Sequence, residues 1–191
     1  NAWDLMYLGQ WREQGLTLDA RLFQEKLSRI VTGRLTLLPM GATVAPNAAA
    51  DDLRNNASAI NRGVEYQLSW RPAGGTIVSW NQYFARPQAS PAVIAQTIAR
   101  RSTGLLVSHA WSNGWSTGLS YSSVSPVRWL GETTQAGSQR FASLRVARSF
   151  RFNDSSMNVA VRWRQPLGQS DEFRELQREL RKVWVSVSVE Y

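Results

Sequence analysis

An all-β, antiparallel transmembrane barrel wall is the fold this sequence predicts, on three observations. The chain ends in strict alternation: Val183, Val185, Val187, Val189 and Tyr191 are apolar, with Trp184, Ser186, Ser188 and Glu190 between them. A period of two gives a strand one apolar and one polar face. Comparable stretches of about nine to thirteen residues recur upstream, longer than the five or six usual in soluble strands. The connections between them alternate short and long, as do the short periplasmic turns and longer extracellular loops of membrane barrels.

Turn chemistry divides the chain into about nine strands. The first covers Ala2–Arg12, with Trp3, Leu5, Tyr7, Gly9 and Trp11 on one face, and Glu13-Gln14-Gly15 turns it into Leu16–Ser28. A long connection holding Pro39, Gly41, Pro46 and Asn55-Asn56 runs to Ile60. Arg62–Trp70 aligns Val64, Tyr66, Leu68 and Trp70, and Pro72-Ala-Gly-Gly75 turns into Thr76–Ala85, which aligns Val78, Trp80 and Phe84. Over residues 86–101 the next connection contains Ser90-Pro91, an N-cap followed by proline at the first helical position, which predicts one or two helical turns over Pro91–Ala99. Thr103–Trp111 and Trp115–Val124 flank Ser112-Asn113-Gly114, the strongest hairpin signal in the chain. A connection through Pro126 and Gly137 leads to Arg140–Phe152, Asn153-Asp154-Ser155 turns into Met157–Gln165, and Gly168–Arg181 leads to the last strand. Phe173, Leu176 and Leu180 give that last connection a helix-like period, although strand ends plus a turn fit as well.

Composition narrows the classes. The chain has 191 residues, no cysteine and a net charge of +8. No apolar run reaches the length of a membrane helix, which leaves barrels untouched because their strands alternate. Disulfide frameworks and thiolate metal sites are excluded. The arginines are scattered, as at Arg71, Arg145, Arg162 and Arg164, so nucleic acid is not expected as a partner; lipopolysaccharide phosphates and anionic solutes suit such charge better. Asn1 is followed at once by strand-like residues with no signal peptide, so a mature chain or a C-terminal fragment is expected.

A soluble β-sandwich would also alternate. Long strands, asymmetric connections, and Trp11, Trp70, Trp111, Trp115, Trp129 and Tyr191 at strand ends, as in interfacial girdles, argue for the membrane. The other face carries Asp4, Arg12, Asp19, Arg21, Glu65, Arg71, Arg145, Arg162 and Arg164, too many charges for a dry core. They must line water or meet a polar plug. Nine is an odd count for a bacterial single-chain barrel, so an open segment of a larger barrel is expected.

Several segments resemble the late barrel strands of TonB-dependent outer-membrane receptors. They are Arg62-Gly-Val-Glu-Tyr-Gln-Leu-Ser-Trp-Arg-Pro, residues 1–23 with Leu-Gly-Gln-Trp and Gly-Leu-Thr-Leu-Asp-Ala-Arg-Leu-Phe, Trp129-Leu-Gly131, and Glu172-Phe-Arg174 ahead of the terminal strand. The chain departs from the usual pattern in ending with tyrosine where phenylalanine is commoner. The resemblance implies that residues 1–191 form the C-terminal portion of a barrel of about 22 strands, the plug domain and N-terminal strands being absent. It further implies an outer-membrane active transporter with a periplasmic C-terminus, driven by TonB–ExbB–ExbD. The cargo would be a ferric siderophore or other iron complex, and the partners the lipid bilayer, lipopolysaccharide, the plug and TonB. A passive porin-like barrel and a soluble β-sandwich binding module are the alternatives.

No catalytic, cofactor-binding or metal-binding residue emerges, and the substrate-binding residues remain open. The one histidine, His109, adjoins Ser108, but strand neighbours point to opposite faces and cannot form a nucleophile–base pair. Asp51-Asp52 read as solvated loop residues. Gly74-Gly75 opens no helix and so is no phosphate loop. An enzyme is not expected.

Overall fold

The computed structural model describes residues 1–37, 49–72, 74–128, 135–152, 155–167 and 182–191, with side chains described outside 32–54 and 135. The strands are β1 (Ala2–Trp11), β2 (Leu16–Leu37), β3 (Ala49–Trp70), β4 (Thr76–Ser90), β5 (Arg101–Ala110), β6 (Trp115–Val124), β7 (Val127–Arg128), β8 (Gln135–Ala136), β9 (Gln139–Phe152), β10 (Ser155–Pro166) and β11 (Lys182–Glu190). Nine of them form one antiparallel sheet in the order β1-β2-β3-β4-β5-β6-β9-β10-β11, while β7 and β8 make a small separate ribbon. The sheet is a meander in which each strand pairs with the next, and β1 and β11 are its open edges.

Pairing fixes the faces, because residues directly opposite in antiparallel strands share a side. One rung runs Tyr7, Ala20, Tyr66, Gln82 and Thr103; another runs Leu5, Leu22, Val64 and Phe84. At the far end, Val146, Val161 and Val185 align. The expected apolar positions therefore fall on one face of the whole sheet. On interior strands Leu22 is 49% exposed and Leu119 53%, so this face has no protein cover. Water would penalise so much apolar area; hydrocarbon would not. Among the described residues, the one polar side chain buried within the apolar face, Gln82, is tied off: its Nε2 donates to the Ser102 carbonyl at 2.8 Å and its Oε1 accepts from Thr103 Oγ1 at 3.0 Å.

All short connections (12–15, 71–75, 111–114 and 153–154) lie at one rim, and all long ones (38–48, 91–100, 125–138 and 167–181) at the other. The C-terminus ends at the short-turn rim, since Glu190 pairs with Ser156 at the start of β10. Three short turns carry glycine at positive φ: Gly15 at 63°, Gly75 at 79° and Gly114 at 83°. Side-chain-bearing residues resist this region. Each of these glycine carbonyls also accepts a 2.8 Å bond from the next hairpin, from the amides of Arg71, Ala110 and Ser149 respectively.

The structure corrects several boundaries. The connection expected from Ser28 to Ile60 is strand for much of its length, because β2 continues to Leu37 and β3 begins at Ala49. Bulges between Ser28 and Ile30 and between Ile30 and Thr32, with Arg29 at φ 58°, shift the side-chain phase there. A shifted phase erases the period of two from the sequence while the ladder persists. Asp51-Asp52 consequently lie on the backbone of β3, not in a loop. Strand β4 likewise runs on to Ser90. The expected helical turns exist as a 3₁₀ helix, Ala92–Thr97, but Pro91 occupies the N-cap position and no side chain caps it. Proline lacks a hydroxyl, and Ser90 is already the last residue of β4. Trp129, Asn153-Asp154 and the 168–181 connection lie outside the described residues.

The glycine turns are testable. Gly75→Ala should destabilise the refolded full-length protein by about 1–2 kcal/mol for the left-handed backbone alone. The new Cβ would also run into the Ala110 carbonyl, whereas one at Gly74 meets nothing within 4 Å. Gly74→Ala in the same urea titration should move the midpoint far less.

Candidate functional site on the polar face

The polar face splits into two halves of opposite charge. On the regular part of β1–β4, among the described side chains, four carboxylates, Asp4, Asp19, Glu25 and Glu65, share the face with one cation, Arg21. Arg21 bonds through Nε to Asp4 at 3.1 Å and through Nη1 to Glu65 at 3.2 Å, and its Nη2 lies 3.8 Å from Glu25. Beside it is a groove of about 390 Å³ lined by Asp19, Gln67, Asn81 and Tyr83. The Arg21 guanidinium also sits 5.3 Å from the centre of the Phe23 ring, and Phe23 stacks on Tyr83 at 5.8 Å. Gly63 makes room for Phe23: a Cβ there would come within 2.7 Å of the ring. Next to this pair Asn61, only 9% exposed, donates to the Tyr83 hydroxyl at 3.2 Å, while its Oδ1 has no partner among the described residues.

On β5–β11 the balance reverses. Among the described residues, Arg145, Arg151, Arg162, Arg164 and Lys182 share this half with one carboxylate, Glu190. Arg145 and Arg162 stand directly opposite each other. With Ser108, Ser116, Ser120 and Ser143 they line a groove of about 300 Å³. Arg145 reaches Ser116 Oγ and Asn158 Oδ1 at 3.4 Å each, and Ser120 and Ser143 share a 2.6 Å bond. Gly118, opposite Arg145, keeps the floor open, since an added Cβ would meet only Ser108 at 3.9 Å. Arg164 is stacked 4.0 Å over Phe141. Directly opposed like charges repel, so this half is built to receive negative charge.

Above these grooves, at the long-connection rim, the 3₁₀ segment folds back onto the same face. Ile94 and Val93 pack on Ala57, Ala59 and Ala89. Ala59 and Ala89 are a directly opposed pair with the same parity as Asn61 and Glu65. The 91–100 connection is thereby anchored over the mouth of the polar face.

No family model and no curated protein sequence matches the chain. Among solved structures it is similar to the copper transporter OprC, with a TM-score of 0.57 and 13% identity, over 86% of this chain and 25% of that one. The fold is that of an outer-membrane β-barrel wall. This chain spans about a quarter of the length of OprC.

On that wall, Asp4, Asp19, Arg21, Glu65, Arg145, Arg162 and Arg164 stand on the polar face as expected. Arg12 and Arg71 instead sit in the short turns just beyond β1 and β3, where the strands have already ended; both line a groove with Gln10 and Thr17. Ser108 and His109 point to opposite faces. Ser108 joins the arginine groove, and His109 Nδ1 shares a 2.7 Å bond with Thr76 Oγ1 while its ring meets Trp111 edge-on at 4.5 Å. No three His, Cys, Asp or Glu side chains converge to hold a bare metal ion among the described residues. Sequence reasoning missed Asn61, Phe23 and Tyr83, whose meeting depends on strand register, and the opposition of Arg145 to Arg162, for the same reason.

The Arg21 cluster makes a salt-dependent prediction. Arg21→Gln leaves Asp4, Glu25 and Glu65 without their shared cation, so the urea midpoint of the full-length protein should fall at low ionic strength. The gap should narrow near 1 M salt, where charges a few ångströms apart are screened. A midpoint difference independent of salt would assign the loss to packing on Phe23 instead.

Proposed function

We propose that this wall belongs to an outer-membrane active transporter importing a scarce, chelated metal, with a ferric siderophore or other iron complex as cargo. The observation that carries the reading is the two-faced nine-stranded wall: an uncovered apolar face, a charged opposite face, and every short connection at one rim. The short-turn rim, with the C-terminus, is periplasmic; the long connections face the exterior. Both sheet edges are open, and lipid cannot satisfy unpaired N–H and C=O groups. Further strands therefore flank β1 and β11 in the parent barrel, about 22 in all. A pore of that width needs a plug, and a plug needs TonB–ExbB–ExbD to move it.

The polar face suits a chelate better than a bare ion. It offers hydroxyls, amides and arginine guanidinium groups, which donate hydrogen bonds to the anionic oxygens of a chelator. No side chain here is assigned a catalytic role. Cargo would pass between the acidic half around Arg21 and the basic half around Arg145 and Arg162.

Two measurements test the reading. Val187→Arg, at mid-wall on the apolar face, should cost about 2–4 kcal/mol in refolding titrations into bilayers, and Ser186→Arg, on the polar face, much less. Equal costs would remove the assignment of faces. Uptake of the iron chelate by cells expressing the full gene should stop on deletion of TonB, and expression should rise under iron starvation. Uptake that persists without TonB would replace active transport with a passive barrel.

A further inference from the structure

The apolar face ends abruptly toward the long-connection rim. Along β2, β3 and β4 its rungs read Leu18, Leu68 and Trp80, then Ala20, Tyr66 and Gln82, then Leu22, Val64 and Phe84. The next rung is Gln24, Arg62 and Arg86. Apolar gives way to cationic in one step of two residues, roughly 7 Å along the strand. From Trp70 near the short-turn rim to Arg62 is eight residues, or roughly 27 Å of strand, which at the usual tilt rises about 20 Å, most of the height of a barrel's apolar band.

Cations line this end of the face across neighbouring rungs. Lys26, Arg62, Arg86, Arg101 and Arg140 all have the parity of the apolar face, and no described carboxylate on the strands shares that face. The acidic residues of the sheet whose side chains are described (Asp4, Asp19, Glu25, Glu65 and Glu190) point the other way. Arg62 and Arg86 stand directly opposite each other. Two like charges so placed destabilise a ladder unless an anion lies between them. Neither they nor Arg100 has an acidic partner among the described residues.

Below them is a receptacle. A groove of about 470 Å³ has Leu22, Val64 and Phe84 as its apolar floor and Arg62, Arg86 and Arg100 as its polar end. Leu22 is 49% exposed and Phe84 39%. Arg101 lies 5.5 Å over the Phe84 ring, closing one flank. A ligand that fills this groove must be apolar along its length and carry a phosphate-like anion at one end.

We propose that the β2–β4 groove is a binding site for a phosphorylated membrane lipid of the outer leaflet: acyl chains on Leu22, Val64 and Phe84, phosphates on Arg62, Arg86 and Arg100. The proposal rests on the membrane reading of the apolar face. It identifies the outward arginines as ligands for phosphate, where bidentate N–H···O geometry favours arginine over lysine.

The test uses the full-length protein purified in detergent, with lipopolysaccharide as the probe and native mass spectrometry as the readout. Arg62→Gln with Arg86→Gln and Arg100→Gln should weaken lipopolysaccharide retention on the order of a hundredfold, at roughly fivefold per arginine. Dephosphorylated lipopolysaccharide should bind the unaltered protein as weakly as intact lipopolysaccharide binds the triple variant. Millimolar inorganic phosphate should not displace the lipid, since the free anion lacks the acyl chains; displacement would reduce the site to a phosphate site and overturn it. Arg145→Gln, on the polar face, is the control and should retain lipid fully. Should the triple variant fail to assemble, Arg86→Gln alone should still lose roughly fivefold. Retention unchanged in these variants, while the protein still inserts into vesicles, overturns the lipid site and leaves the membrane wall standing. Protein that stays monomeric in buffer without detergent and does not enter vesicles overturns both.

Discussion

Backbone hydrogen bonding is the constraint on which this structure depends. Each interior strand of the sheet pairs with a neighbour on both sides, so its N–H and C=O groups need no solvent. A chain that meets that condition can place an apolar face against hydrocarbon without burying a single unsatisfied amide. The alternation of faces, the unbroken pairing across nine strands and the tying-off of Gln82 all serve it. No large side chain among the described residues is below 2% exposure, so no conventional core competes with the ladder as the source of order.

The central wall was legible in the sequence because alternation is a local signal. Val64 to Trp70 and Val183 to Val189 announce both strand and face in a few residues. Connection lengths were legible as well, since Gly15, Gly75 and Asn113-Gly114 mark turns by backbone chemistry alone. What escaped were features set by register or by phase. The bulges near Arg29 hid the outer thirds of β2 and β3, and the poor strand formers that follow, such as Asn55 and Asn56, gave no compensating cue. Ser90 read as a cap because serine usually is one; its place in β4 decided otherwise. The site suffered most, because which arginine opposes which is a fact about pairing between strands.

The two charged halves of the polar face also differ in how they hold their charges. Arg21 is committed to three carboxylates and stacked on Phe23, so its side chain is fixed. Arg145 makes only long bonds to neutral oxygens and Arg162 opposes it directly. The first arrangement is a built structure and the second an open valence. Along the outward face the pattern recurs, with Arg148 caged between Trp115 at 5.2 Å and Phe150 at 4.9 Å near the short-turn rim, while Arg62 and Arg86 remain uncaged near the other.

The glycine carbonyls at the short turns carry one more consequence. The carbonyls of Gly15, Gly75 and Gly114 each accept a bond from an amide further along the short-turn rim: Arg71 just past β3, Ala110 at the end of β5 and Ser149 within β9. The joint is local: it needs one left-handed glycine and a backbone amide near the short-turn end of the second strand on in the sheet, and no particular side chain. A hairpin duplicated within such a gene would arrive already carrying both halves of the joint, and a hairpin lost would leave its neighbours still matched. Walls of this kind can therefore lengthen or shorten two strands at a time without redesign of the seam, which makes an even strand count the natural unit of their diversification.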